Sequence, residues 1–424
     1  MFRREWIKQY ALLFLSVTIV CTALLYLAGL VPQDRVAENI RRSSEQFADE
    51  GEYPYVFDSW SDVYRLDAFS ESLILNHSFY MDSREKPIEI IDNSCYRDGW
   101  HPVTSLIALG EDPTIEATSG RSHYWLGFRA VVRPLLGLIP YQNIRGVVSA
   151  AFFTLFMAAA LMLQKKANTL SAICLMLAVI SMNPVIVSTS LQFSCCFLIA
   201  FAGIIAVCMT YRNQRILLGA FLLLGQLTMY FDFYTSPLIT WGLPFIALMS
   251  ILRTTDRPGL KKSLKLAGLT LLLWGLGYAG MTVMKMILTT VFTAANGFEA
   301  VFSRLLHYTG VETANKAQAS YTAWGALYNC LKNVFTVPNL FSLVCAALAL
   351  GVNLLVMNRR TGLRFGGRGI WVYVLAGALS VLWLMVASQA SGRHAYFQYR
   401  TLAVMVYAVF CFAAQLFEPE KKRT

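Results

Sequence analysis

The chain has 424 residues, of which 56% are hydrophobic and only 14% charged, and its formal net charge is +11. A soluble protein of this length needs far more polar surface, so the composition argues against one and for a helical protein of the bilayer. The positive balance does not indicate a nucleic-acid partner, because the basic residues fall in short loops between apolar runs, where they report topology.

The sequence opens with "FRREWIKQYALLFLSVTIVCTALLYLAGLVP", a basic start followed by an apolar run from Tyr10 to Val31. No small-residue cleavage site follows, so residues 1–31 read as an uncleaved first span with a cytoplasmic N-terminus. Residues 32–143 are the one long polar region, mixed in charge and rich in aromatics. They predict a large first extracytoplasmic loop containing several short interfacial helices. The loop closes with "SHYWLGFRAVVRPLLGLIPY", in which Arg129 and Arg133 are too costly to place in lipid. An interfacial or re-entrant helix fits this stretch better than a span.

Apolar runs of about 20 residues, long enough to cross roughly 30 Å of hydrocarbon, then recur. They predict six spans within 144–288, at 145–164, 169–189, 191–211, 216–232, 236–252 and 266–288. An extracytoplasmic loop at 289–335 follows, able to form one or two amphipathic helices. Three spans, 336–357, 370–389 and 398–417, and a short tail complete residues 336–424. The expectation is an all-α polytopic membrane protein with about ten transmembrane helices and both termini cytoplasmic. The inside segments of this scheme hold 19 of the 36 Lys and Arg but only 4 of the 25 Asp and Glu. That asymmetry fits a plasma (inner) membrane orientation. Seven of the nine cysteines fall in apolar runs and read as packing residues. Cys95 and Cys330 lie in polar regions, which leaves a disulfide between them open.

In this topology the unusual polar clusters gather at the extracytoplasmic boundary, and no nucleotide-binding pattern appears in the cytoplasmic loops. "FDSWSDVYRLDAFSES" places Asp58, Asp62 and Arg65 on one helix face and stacks Asp67 with Glu71. A carboxylate here serves as a base for an acceptor hydroxyl or as a ligand for a divalent cation, Mg or Mn; a solvated helix face is the plainer reading. Asp62 and Asp67, with aromatic and apolar neighbours, are the catalytic or metal-binding candidates. Arg129 and Arg133, four residues apart and preceded by His123 and Tyr124, suit a phosphate or, equally, lipid headgroups. Asp232, in "MYFDFYTSP", pairs with an external arginine, acts on substrate, or is a loop acid beside a cap at Thr235. "SGRHAYFQYR" adds His394 and Arg400, the latter suited to a buried pair with Asp232 or to a lipid phosphate. Arg304, His307 and Tyr308 are weaker substrate-contact candidates, and Lys285 lies just before them near the outer end of its span.

An acidic cluster beside paired arginines on the outside suits transfer of a sugar from a polyprenyl phosphate. The leaving phosphate needs cations, the acceptor hydroxyl needs a base, and one base with one leaving group gives inversion. The chain also resembles the GT-C class of integral-membrane glycosyltransferases, particularly bacterial members, in its first span, large outer loop and many further spans. "DSWSDVYRLDAF" looks like the acidic element of that class, and "HYWLGFRAVVRPLLG" is similar to the interfacial helix that follows it. The resemblance implies base or metal roles for Asp62 and Asp67, and phosphate contacts for Arg129, Arg133 and Arg400. It implies a polyprenyl-phosphate-linked sugar as donor, an extracytoplasmic glycan or lipid as acceptor, and membrane lipids and glycan-assembly proteins as partners. The sequence departs from the pattern in having no adjacent acidic pair close after the first span and no large soluble C-terminal domain. A transporter or lipid flippase, with Asn183, Gln192 and Gln226 along its route, is the main alternative. An acyl- or phospho-group transferase and a non-catalytic assembly or export subunit also stay open.

Overall fold

The computed structural model describes residues 4–57, 61–99, 101–309, 321–361 and 363–419. Helix α1 (Arg4–Ala28) buries Cys21, Leu25 and Ala28 along one stripe and exposes Ile19, Val20, Leu24 and Leu27. A helix apolar on all sides with one stripe covered is what a span facing lipid looks like.

The polar region then folds into a cap. It contains α2 (Gln33–Glu50), α3 (Ala68–Phe79), α4 (Glu89–Asp92), α5 (Pro102–Glu111) and α6 (Arg129–Leu136). A two-residue antiparallel ladder joins β1 (Ser94–Cys95) to β2 (Ser119–Gly120). The amphipathic α2 lays Val36, Ile40 and Phe47 against α3 and α5. These side chains share one core with Leu25 of α1, Tyr230 and Met281. The cap is therefore packed into the end of the bundle, with Phe57, Val131 and Leu138 left exposed.

The bundle proper runs α7 (Tyr141–Lys166), α8 (Thr169–Ile180), α9 (Pro184–Ser188), α10 (Leu191–Thr210), α11 (Gln214–Phe231), α12 (Ile239–Thr255) and α13 (Leu260–Phe292). After α14 (Gly297–Thr309) come α15 (Ala323–Val334), α16 (Val337–Thr361), α17 (Trp371–Val386), α18 (Ser388–Arg393), α19 (Ala395–Gln398) and α20 (Ala403–Gln415). β3 (Leu363–Phe365) pairs antiparallel with β4 (Phe417–Pro419). Among the described residues, seven helices are long and apolar enough to cross a bilayer. An eighth is added if α15 and the first part of α16, bent by 76°, count as one broken span. The chain is a multi-pass helical membrane protein.

Two of the ten expected runs do not form helices long enough to count as candidate spans. The 169–189 run breaks after Ile180, because Asn183 turns left-handed (φ 54°) and Pro184 starts a new helix. The 236–252 run becomes α12, 17 residues and about 25 Å long. Every residue from Ile239 to Ile251 of α12 is buried, with α10 and α20 packed against it. An all-round apolar helix of this kind belongs to a protein interior.

Helices α11 and α13 approach backbone to backbone. A Cβ on Gly225 would lie 1.9 Å from the Trp274 carbonyl oxygen, and one on Gly277 would lie 2.2 Å from that of Leu222. Small residues at such crossings replace the hydrophobic drive that lipid removes. Gly225→Val is expected to lower stability by about 3 kcal/mol, read as a fall in the thermal midpoint in detergent. Gly268→Val, where a Cβ meets nothing within 4 Å, is the matched control and should be close to neutral.

Candidate functional site

The cap meets the bundle at the start of α3. Asp67 is its N-cap: one carboxylate oxygen accepts the Ser70 N–H (3.0 Å) and the other accepts the Ser70 hydroxyl (2.8 Å). Tyr396 of α19 hydrogen-bonds the same carboxylate, and Tyr53 packs edge-on against Tyr396 with ring centroids 6.1 Å apart. Asp67 is 2% exposed. Burial lifts its pKa to about 6, against the lowering effect of the Ser70 hydrogen bonds. A carboxyl so placed titrates close to neutrality, where a general base is most effective.

Arg400 lies in the 3-10 turn that leads into α20, 2% exposed. Its Nε donates to the Met182 carbonyl (3.4 Å), and its guanidinium sits 4.3 Å from the Phe193 ring and 5.1 Å from that of Tyr399. Tyr399 is held in turn by Asn183, whose amide donates to its hydroxyl (3.0 Å). Both terminal nitrogens of Arg400 are buried; the Tyr399 hydroxyl interacts with the guanidinium, but among the described residues no acceptor meets either terminal nitrogen in close hydrogen-bond geometry. The charge of Asp67 acts on Arg400, as do the tyrosines at 396 and 399, but Asp67 makes no ion pair with it among the described residues. A buried cation with unfilled donors carries a penalty of several kcal/mol that an anionic ligand removes. Two further buried acceptors, the Oε1 atoms of Gln192 and Gln398, also lack donors among the described residues.

One turn along α3 from Asp67, Glu71 does a different job. It accepts the Tyr141 hydroxyl (2.6 Å), the Ser190 hydroxyl (2.7 Å) and the backbone N–H groups of Leu191 and Gln192 (3.1 Å each). These last two are the first residues of α10, so the carboxylate closes the positive end of a membrane helix. Glu50 adds a second tie between cap and bundle, paired with Arg145 of α7 (2.7 and 2.9 Å).

The paired arginines of the sequence reading turn out to be bound to the fold. Arg129 donates to the carbonyls of Glu89 (3.1 Å) and Ile90 (3.0 Å) and to the Asn93 side chain, while Lys285 donates to the Ile91 carbonyl (2.6 Å). Two buried cations thus collect the carbonyls of the four-residue α4, where the left-handed C-cap Asn93 supplies one backbone N–H, to Glu89. Arg133 does the same for two other helix ends, donating to Ser78 and Phe79 at the end of α3 and to Val31 beyond α1. Both arginines are 0% exposed. They contact neither solvent nor lipid, so the expected headgroup or phosphate contact is replaced by carbonyl capping. The stretch from Ser122 to Tyr141 holds only the eight-residue α6, buried against the cap core.

Asp232 caps the C-terminal end of α11, buried to 5% exposure. Both its oxygens accept the Thr235 N–H (3.1 and 3.0 Å), and the Thr235 hydroxyl also donates to it. Thr235 therefore serves this turn and does not cap α12, whose N-cap is Leu238. The expected Asp232–Arg400 ion pair does not form among the described residues. Arg400 stacks on Phe193 and Asp232 hydrogen-bonds Cys196, one turn further along α10. Tyr124, 3% exposed, accepts from Arg304 Nε (3.0 Å) and stands beside His123, Phe233 and Tyr234. Burial and the nearby arginines 304 and 121 push His123 down to about 3, so it stays neutral. The His307 side chain and Asp58 lie outside the described residues. His394 stacks on Phe397 at 5.2 Å, half-buried.

Asp62 does not join Asp67. Its side chain is 59% exposed, pairs with Arg65 (3.2 Å) and accepts from Tyr55 (3.1 Å), in a 3-10 turn where a longer helix was expected. An exposed, ion-paired acid and a buried N-cap do not fit a shared Mg or Mn. Among the described residues, the group that draws metal-type ligands together is Cys195, Cys196 and Asp232, with ligand atoms within 4.8 Å of one another. Both Asp232 oxygens already accept from Thr235, which leaves that set short of a tetrahedral shell. Cys95 and Cys330 are both buried free thiols, so the disulfide left open by the sequence is absent.

The structure thus brings together Asp67 and Arg400 from the sequence candidates and adds Tyr396 and Tyr53, which no spacing in the sequence singles out. Compared with known proteins, the chain matches no protein-family model, no curated protein and no solved structure.

Proposed function

We propose that the chain is a GT-C-like glycosyltransferase that moves a sugar from a polyprenyl phosphate to an extracytoplasmic glycan, lipid or polymer acceptor, with the cap end of the bundle facing out of the cytoplasm. The observation that carries this reading is the buried Arg400 guanidinium, whose two terminal nitrogens meet no close acceptor among the described residues, set near a buried carboxyl poised to titrate at about pH 6. A phosphate monoester or diester oxygen satisfies those nitrogens as a two-pronged, charge-assisted pair.

In the step proposed, Asp67 takes the proton of the acceptor hydroxyl as its oxygen attacks the anomeric carbon. The bond from that carbon to the phosphate oxygen breaks, and the electron pair leaves with the polyprenyl phosphate. Arg400 meets the negative charge that appears on the departing group. Attack opposite the leaving phosphate inverts the centre. Tyr396 holds Asp67, and Tyr399 with Phe193 holds Arg400. No metal enters the step.

The test is a proteoliposome assay with a labelled polyprenyl-phosphate sugar, read as a new glycosidic linkage and released polyprenyl phosphate. Arg400→Gln is expected to lower transfer by about 100-fold or more, as loss of a charge-stabilising donor does. Movement of the labelled lipid between leaflets without any new linkage would instead support a flippase. Undiminished transfer by Arg400→Gln would remove the arginine from the reaction.

A further inference from the structure

A cavity of about 300 Å³ lies at the end of the bundle away from the cap, between the α10–α11 turn and the α12–α13 turn. Arg212, Lys262 and Lys265 line it, against one carboxylate, Asp256. Leu217, Leu252, Leu266 and Leu269 form its apolar wall. The cavity is thus cationic at the rim and greasy within.

The local sequence makes this arrangement unusual. "GLKKSLK" places Lys261, Lys262 and Lys265 at the start of α13, which has no acidic residue in its first turn and no side-chain cap on Gly259. The positive end of a helix favours anions and repels lysine. Of the cations lining the cavity, Arg212 packs on the Tyr211 ring at 5.5 Å and bonds its hydroxyl at 3.0 Å; none of the three makes an ion pair among the described residues. Three cations and an uncapped helix start around one cavity call for an anion. The leucine wall beneath them calls for a hydrocarbon chain attached to it.

We infer that this cavity binds an anionic phospholipid, with its phosphate between Arg212, Lys262 and Lys265 and the start of an acyl chain against the leucines. The inference is independent of the activity proposed above, since the site lies at the other end of the bundle and none of its residues enters the transfer step. A glycerophospholipid with a net negative headgroup fits better than a zwitterionic one, because a choline ammonium would face the same lysines.

The experiment is native mass spectrometry of the full-length protein in mild detergent, titrated with phosphatidylglycerol or phosphatidylcholine. One phosphatidylglycerol should be retained per chain, at least ten times more strongly than phosphatidylcholine. The triple variant Arg212→Gln, Lys262→Gln, Lys265→Gln should lose that preference while eluting as the parent does. Asp256→Asn, which removes only the opposing charge, should strengthen retention and keeps the idea testable if the triple variant fails to fold. Glycerol phosphate at millimolar concentration should not displace the lipid. Equal retention of the two lipids by the parent protein, or displacement by glycerol phosphate, would overturn the assignment.

Discussion

Asp67→Asn protein is expected to fold and bind donor normally, yet to transfer sugar about 100 to 10,000 times more slowly, the usual loss when a general base is removed. The isosteric amide can still accept the Ser70 N–H that starts α3, and it removes a charge from a buried site. The pH dependence gives a second reading. With the carboxyl lifted to about 6, the parent's rate should climb as pH rises to about 6 and level off above it. Stability should move the other way. The folded carboxyl holds its proton up to about 6 whereas the free group loses it near 3.8, so the folded state binds more protons between those values. Its stabilising share is therefore complete below that window and declines as pH rises through it. In Asp67→Asn this slope should vanish from thermal midpoints measured at pH 4 to 7. An amide variant with full turnover, or a parent whose rate is flat through pH 6, would end the assignment.

Glu71→Ala should do the reverse, disabling the fold with no special effect on chemistry. The substitution leaves the Tyr141 and Ser190 hydroxyls and two N–H groups of α10 without their acceptor, all at a buried joint. Unsatisfied buried donors cost about 1–3 kcal/mol each, so a loss of about 3 kcal/mol or more is expected. The measurement is the thermal midpoint in detergent, together with protease cleavage within residues 32–143, which should accelerate as the cap loosens. Glu71→Gln, keeping one acceptor oxygen, should fall between parent and alanine. An alanine variant as stable as the parent would show that the joint is held elsewhere.

Much of the bundle was readable because lipid imposes length and apolarity on anything that crosses it. The first span, the long polar region and most later helices follow from that rule alone. Where it fails, the cause is local. Asn183 and Pro184 interrupt a run that is apolar enough to span, and α12 keeps the expected 17 residues but is enclosed by protein on all sides from Ile239 to Ile251. The arginines show a different limit. Arg129 and Arg133 have the spacing of a phosphate clamp, yet they are taken up by carbonyls at helix ends brought from residues 31, 78, 79, 89 and 90, by the side chains of Gln33 and Asn93, and by Asp82, 3.8 Å from Arg133. Nothing within the stretch holding the arginines marks those ends as lacking partners. Arg400 is the contrasting case: the same residue type and similar burial, but among the described residues both of its terminal nitrogens are left over, where Arg133 leaves only Nε. Asp67 and Glu71 are likewise twins in sequence, separated in role only by which hydroxyls and amides the fold delivers to each.

The enclosure of α12 has a bearing on how the protein is made. Gly242 sits so close to Val404 that a Cβ there would lie 2.4 Å from the valine side chain, so α20 completes the wall around α12. Ribosomes release α20 long after α12 has left the exit tunnel. During that interval a helix destined for shelter must wait with one flank bare, and its final lodging is settled only when α20 is released from the insertion machinery.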